Sequence, residues 1–139
     1  MSDKKKILFL DIDGVVNSRN TTNFRQLWPL DQYMAFLVGK IQLDTGCEVV
    51  LSSSWRHHPD GVKIVEDSIV PVLDITPTIG NFRGDEINAW LDNHPEVTRY
   101  AILDDDSDFY PYHPLFKTTF ANGLTDEIAE AVTNYLGRL

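Results

Sequence analysis

Three short apolar runs in this chain each break off into a polar cluster. Ile7-Leu8-Phe9-Leu10 ends in Asp11-Ile12-Asp13-Gly14, Cys47-Glu48-Val49-Val50-Leu51 in Ser52-Ser53-Ser54, and Tyr100-Ala101-Ile102-Leu103 in Asp104-Asp105-Asp106. A short continuous apolar run is the pattern of a strand buried on both faces, as in a parallel sheet covered by helices. The intervening segments supply the helices. From Asp31 to Thr45 the positions Tyr33, Met34, Phe36, Leu37, Val38 and Ile41 recur at helical spacing, with Asp31 placed to cap the start and Gly46 to stop the end. Shorter helices are expected over 60–69 and 84–93, and strands over 71–75 and 118–121. A C-terminal helix follows the cap residue Thr125, with Ile128, Ala131, Val132, Tyr135 and Leu136 on one face. Strands alternating with helices imply right-handed crossovers. The expected architecture is therefore α/β: one Rossmann-like three-layer domain over residues 1–139, with a mostly parallel sheet of about five strands and helices on both faces.

In open sheets of this kind ligands bind beyond the carboxyl ends of the strands, so clusters far apart in sequence converge on one crevice. Carboxylates gathered there repel one another and lose hydration. A hard cation with oxygen ligands, Mg²⁺ first, is the simplest compensation, and a metal between carboxylates commonly serves phosphate. The whole chain carries 21 acidic and 12 basic residues, a net charge of −9, which argues against an extended nucleic-acid footprint. No apolar stretch approaches the ~18 residues of a membrane span. The basic start Met1 to Lys6 is followed by only four apolar residues before Asp11, too few for an export signal, and Cys47 is the only cysteine. A cytoplasmic setting is expected.

Asp11-x-Asp13-Gly14 after a buried strand, a serine after the second strand, a basic residue opening a later helix, and Ile102-Leu103-Asp104-Asp105 together resemble the four ordered motifs of the haloacid dehalogenase (HAD) superfamily. Ser53-Ser54-Trp55-Arg56, Arg83-Gly84-Asp85-Glu86-Ile87 with Trp90-Leu91, and Gly123-Leu124-Thr125 resemble its small capless branch associated with RNA-repair proteins. The resemblance implies a Mg²⁺-dependent phosphatase. Asp11 would be the nucleophile that forms an aspartyl-phosphate, and Asp13 the general acid and then base. Gly14 would permit a tight turn and expose amide donors. Ser53, with Ser52 as the alternative, would offer its hydroxyl to the phosphoryl group. Arg83 would stand where the family has lysine, with Lys63 as the alternative, and Asp105 with Asp104 would complete the metal site begun by Asp11 and the Asp13 carbonyl. Ser54, Arg19 and Arg56 are placed with the substrate.

Caps in this superfamily are inserted between the first and second or the second and third motifs. Here residues 15–46 hold a flap and one helix, and 57–82 one helix and a short strand, leaving no length for a lid. The expected substrate is a phosphorylated small molecule or a phosphorylated nucleic-acid end, met partly by the polar loop containing Asn17, Arg19, Asn20, Thr21, Thr22, Asn23 and Arg25. Arg19→Ala and Arg25→Ala are expected to raise KM more than they lower kcat; unchanged KM in steady-state assays of both would remove the loop from substrate binding. The competing readings are a non-catalytic or regulatory phosphate-binding module, a phosphoprotein phosphatase, and a phosphate-receiving signalling domain. His57, His58, His94 and His113 lack metal-ligand spacing and are read as surface residues, Trp55 and Trp90 as packing residues, and Cys47 as a small buried hydrophobe.

Overall fold

The computed structural model describes residues 5–21 and 28–139. Five strands form one parallel sheet: β1 (Lys5–Leu10), β2 (Glu48–Leu51), β3 (Val72–Ile75), β4 (Val97–Asp104) and β5 (Leu115–Lys117), in the spatial order β3-β2-β1-β4-β5. Ile7, Leu8, Phe9 and Leu10 are each 0% exposed, as the unbroken apolar run requires of a central strand. Burying each such side chain stabilises the fold by about 1.5–3 kcal/mol.

Side chains alternate across β1 and so feed two cores. Leu8 and Leu10 pack beneath α1 (Gln32–Thr45), α2 (Pro59–Ser68) and α4 (Asp126–Leu136), whereas Ile7 and Phe9 pack against Ile87 and Trp90 of α3 (Arg83–Asp92). The sheet is thus covered on both faces, and among the described residues there is no large cap. Asp31 caps α1 through its side chain, accepting from the Met34 amide, and Gly46 ends the helix with a left-handed φ of 72°. Thr125 caps α4 in the same way, accepting from Ile128. The apolar stripe of α4 is centred on Ala129, Val132 and Leu136, so Ala131 and Tyr135 face outward.

The fifth strand differs from expectation. It lies at Leu115–Lys117, pairing Leu115 with Ile102 and Phe116 with Leu103, and not at 118–121. The β-branched pair Thr118-Thr119 reads as strand, but Thr118 is already past the ladder: its amide donates to Asp104 O and its hydroxyl to Gly14 O. Residues 119–121 instead form a turn that holds the segment after β1, with Phe120 O accepting from the Arg19 amide and Ala121 O from Asn20 Nδ2.

The chain runs outward from β1 through β2 to β3 and then returns to the opposite side of β1 as β4. That reversal opens a crevice at the carboxyl ends of β1 and β4, where ligands of such sheets bind. Register completes the placement: Leu10 lies beside both Leu51 and Leu103, so Asp11, Ser52 and Asp104 leave three neighbouring strands at one level.

Candidate active site

The crevice holds Asp11, Asp104 and Asp105, whose carboxylate oxygens lie within 4.8 Å of one another. Asp11 is 4% exposed and Asp104 0%. Burial raises the Asp11 carboxyl well above the ordinary carboxylate range, and the charge of Asp104 adds to the rise; Arg83 partly offsets both. Burial likewise raises Asp104 and Asp105.

Arg83 is the cation that meets this charge. Its Nη1 lies 3.4 Å from Asp11 Oδ1 and 3.3 Å from Asp104 Oδ2, and it donates to Ser52 O at 2.8 Å. Partial burial works against its charge, but Asp11, Asp104 and Asp108 outweigh that cost and its pKa rises. The residue arrives there through an unexpected partner. Phe82 precedes α3 and provides no side-chain cap, so Asp108 caps from the loop after β4: its Oδ2 accepts from the Arg83 amide at 3.1 Å and its carbonyl from Gly84 at 3.0 Å. Lys63, the alternative cation, is exposed on α2 and bonded to Asp67.

Gly14 has a φ of +81°, and a Cβ there would lie 2.1 Å from Asp105 Oδ2. The glycine makes room for the acidic loop. Its amide is taken by Asn17 Oδ1 at 2.9 Å, so the expected role of that amide as a substrate donor is corrected. Asp13 is exposed at the mouth, where its Oδ1 accepts from Asn17 Nδ2 at 2.9 Å and its two oxygens share the Trp55 indole N–H.

The serines divide by their bonds. Ser53 Oγ accepts from the Trp55 amide at 3.1 Å, capping the short 3₁₀ turn Ser54–His57, while Ser52 Oγ is buried without a hydrogen-bond partner among the described residues. Ser54 is exposed at the start of that turn. Ser52→Ala is therefore expected to leave the melting temperature nearly unchanged and to depress turnover, whereas Ser53→Ala loses a cap and about 1 kcal/mol of stability. Thermal melts and initial rates on the two variants separate the roles.

Arg56 requires a correction. Placed in sequence with the substrate, it is 8% exposed and bonded inward through Nε to Thr76 O, Nη1 to Ser52 O and Ser53 O, and Nη2 to Glu86 Oε1. It supports the end of β2 from within. Arg19 is exposed beside the site's polar loop, while Thr22, Asn23 and Arg25 lie outside the described residues. His113 is also corrected: it is 6% exposed, its Nδ1 accepting from the Tyr110 amide and its Nε2 facing Asn88 Oδ1. Trp55 is buried as expected, but its indole N–H bonds an acidic site residue 42 positions away, a link that no spacing rule reveals. Asp108, which its place after Asp104-Asp105 marks as a residue behind the metal ligands or in solvent, instead reaches the start of α3.

A family model described as the HAD domain in Swiss Army Knife RNA repair proteins matches residues 7–129. The chain belongs to this family. The match runs from β1 into α4 and so includes all four motif positions. Membership in this HAD family supports a phosphatase-like function in general terms. No curated protein and no solved structure matches the chain.

The donor set fits the divalent cation typical of HAD proteins. Three carboxylates offer hard oxygens, and Asp104 Oδ2 is buried, ion-paired with Arg83 and without a hydrogen bond among the described residues. Among the described residues, no helix is long and apolar enough to cross a membrane.

Proposed function

We propose that this domain is a Mg²⁺-dependent phosphomonoesterase that works through an aspartyl-phosphate. The observation that carries the reading is the buried Asp11, bracketed by Asp104, Asp105 and Arg83, with Asp13 two residues on at the crevice mouth. Asp11, Asp104 and Asp105, with the Asp13 main-chain carbonyl implied by the family resemblance, would hold Mg²⁺, which neutralises carboxylate and phosphoryl charge when bound.

An Asp11 carboxylate oxygen attacks phosphorus in line with the ester oxygen. The aspartyl O–P bond forms as the ester P–O bond breaks, and the leaving alkoxide takes a proton from the Asp13 carboxyl. Asp13, now a carboxylate, takes a proton from water as the water oxygen attacks phosphorus. Inorganic phosphate leaves, Asp11 is regenerated, and Asp13 again holds its proton. Arg83 and the Ser52 hydroxyl donate toward phosphoryl oxygens, where developing charge is best stabilised by donors already in place. Arginine in a lysine position changes a point charge into a planar fork, and the Arg83 contact with Ser52 O fixes one arm of that fork.

A crevice without a large cap among the described residues suits a phosphate on the end of a larger molecule. The net charge of −9 limits how much polyanion is gripped, which favours a phosphorylated small molecule or a single phosphorylated nucleic-acid end. The family's description as a domain of RNA repair proteins supports the latter class. A single cysteine, buried at Cys47, accords with a reducing cytoplasmic setting. The test is a screen of nucleotides, sugar phosphates, 3′- and 5′-phosphorylated oligonucleotides and phosphopeptides with Mg²⁺, using Asp11→Asn as the blank. Metal-dependent release of phosphate is expected. No release from any substrate overturns the reading in favour of a binding module, and a preference for phosphopeptides redirects it to a phosphoprotein phosphatase.

A further inference from the structure

We infer that Trp55 and Asn17 are positioning residues for Asp13, and that the adjacent residues Trp28 and Pro29 hold both of them. The inference rests on the reading of Asp13 as the proton donor to the leaving group. Asp13 is exposed at the crevice mouth, so the direction of its carboxyl depends on the donors that its own chain places against it.

Two donors supply that direction. Asn17 Nδ2 donates to Asp13 Oδ1 at 2.9 Å, while the Trp55 indole N–H is shared between Oδ1 at 3.3 Å and Oδ2 at 3.2 Å. Both donors are fixed. Asn17 is 1% exposed, with its Oδ1 accepting from Gly14 N at 2.9 Å and its Nδ2 also donating to Pro29 O at 3.0 Å, which sets the orientation of its amide. Trp55 is 4% exposed and meets the Trp28 ring edge to face at 4.9 Å. A Cβ on Gly61 would lie 2.6 Å from Trp55 O and 2.9 Å from Trp28 Cζ3, so α2 backs closely onto the Trp28 ring and the Trp55 backbone.

The two supports converge on one short stretch of backbone. Trp28 braces the Trp55 ring, and the next residue, Pro29, receives Asn17. Trp28 has a φ of 60°, the only positive value at a non-glycine among the described residues, and an unusual conformation for so bulky a side chain. Trp28 and Pro29 thus brace, side by side, the two side chains that donate to the Asp13 carboxyl. Oδ2 is the less engaged oxygen, and the geometry makes it the atom from which a proton passes to the leaving oxygen.

The test compares two esters that differ only in their need for that proton. A 4-nitrophenyl ester departs as a stable phenolate without protonation, whereas an alkyl ester requires the acid. Trp55→Phe, which removes the N–H and keeps a ring, and Asn17→Ala are each expected to lower kcat/KM for the alkyl phosphate by about tenfold or more, a fraction of what a general acid supplies, with less than about threefold loss on the nitrophenyl ester. Asp13→Asn should show the same split in larger measure. Equal losses on both esters, or none, would overturn the inference by reducing Trp55 and Asn17 to packing residues. If one variant does not remain folded by circular dichroism, the other decides. The alkyl ester is one that wild type hydrolyses in the substrate screen; wild type inert toward every phosphate in that screen overturns the phosphatase reading itself, and this inference with it.

Discussion

Replacing Asp11 by Asn is expected to abolish turnover, by roughly 10⁴-fold or more, and at the same time to raise the melting temperature of the metal-free protein at neutral pH. The two effects share one cause. Burial first, then the neighbouring Asp104 charge, raises the Asp11 carboxyl well above the ordinary range, and Arg83 offsets only part of the rise. The folded state thus binds that proton more tightly than the unfolded chain does, whose aspartates ionise near about pH 3.9. As pH climbs through the unfolded value, the unfolded state gains stability from ionising while the folded state does not. The penalty grows until the raised folded value is passed, and is complete above it. Asn carries no charge, and its Oδ1 still accepts from Arg83. The advantage of the variant should therefore be small near pH 4 and widen as pH rises. Mg²⁺ should stabilise wild type increasingly over the same range, since metal and proton compete for the same oxygens, and should stabilise the variant less. Melting curves at several pH values, with and without Mg²⁺, check the sign. A variant that melts lower at every pH refutes the electrostatic account, and surviving turnover removes Asp11 as nucleophile.

The same strand ends explain why so much of this site was legible in sequence. A buried parallel strand leaves a sharp boundary between apolar run and polar cluster, and register then brings Asp11, Ser52 and Asp104 side by side without further information. Asp31, Gly46 and Thr125 were readable because caps act within three or four residues of themselves. What escaped was non-local. The edge strand β5 buries its side chains only in part, so the β-branched residues after it gave the stronger strand signal. The link from Trp55 to Asp13 and the Asp108 cap on α3 depend on which loops meet, not on periodicity. The cap in particular replaces a function that α3's own first residues lack, and nothing around Phe82 names the substitute.

Arg56 shows the same limit with the opposite outcome, since an arginine after a serine cluster looks like a phosphate ligand until its partners are known. Arg56→Ala is expected to destabilise the fold by about 3–5 kcal/mol, because it leaves Glu86 as an uncompensated buried charge. At roughly 3 °C per kcal/mol for a chain of this size, the melting temperature should fall by about 10–15 °C. The ion pair is closed on both sides: its side chains are 5% and 8% exposed, and Glu86 Oε2 also accepts from Ile79 N at 3.0 Å. A double variant, Arg56→Met with Glu86→Leu, removes both charges and should recover part of that loss. Recovery should be incomplete, since the carbonyls of Ser52, Ser53 and Thr76 all lose the donor that Arg56 provided. Ser52 O is shared, accepting from Arg56 Nη1 and Arg83 Nη1, each at 2.8 Å. Loss of Arg56 therefore loosens the strand end against which Arg83 is set, and the double variant, assayed below its melting point, should lose kcat with little change in KM. A substrate-binding arginine gives the reverse pattern, a raised KM on an unaltered melting curve, and that result would return Arg56 to the rim of the site.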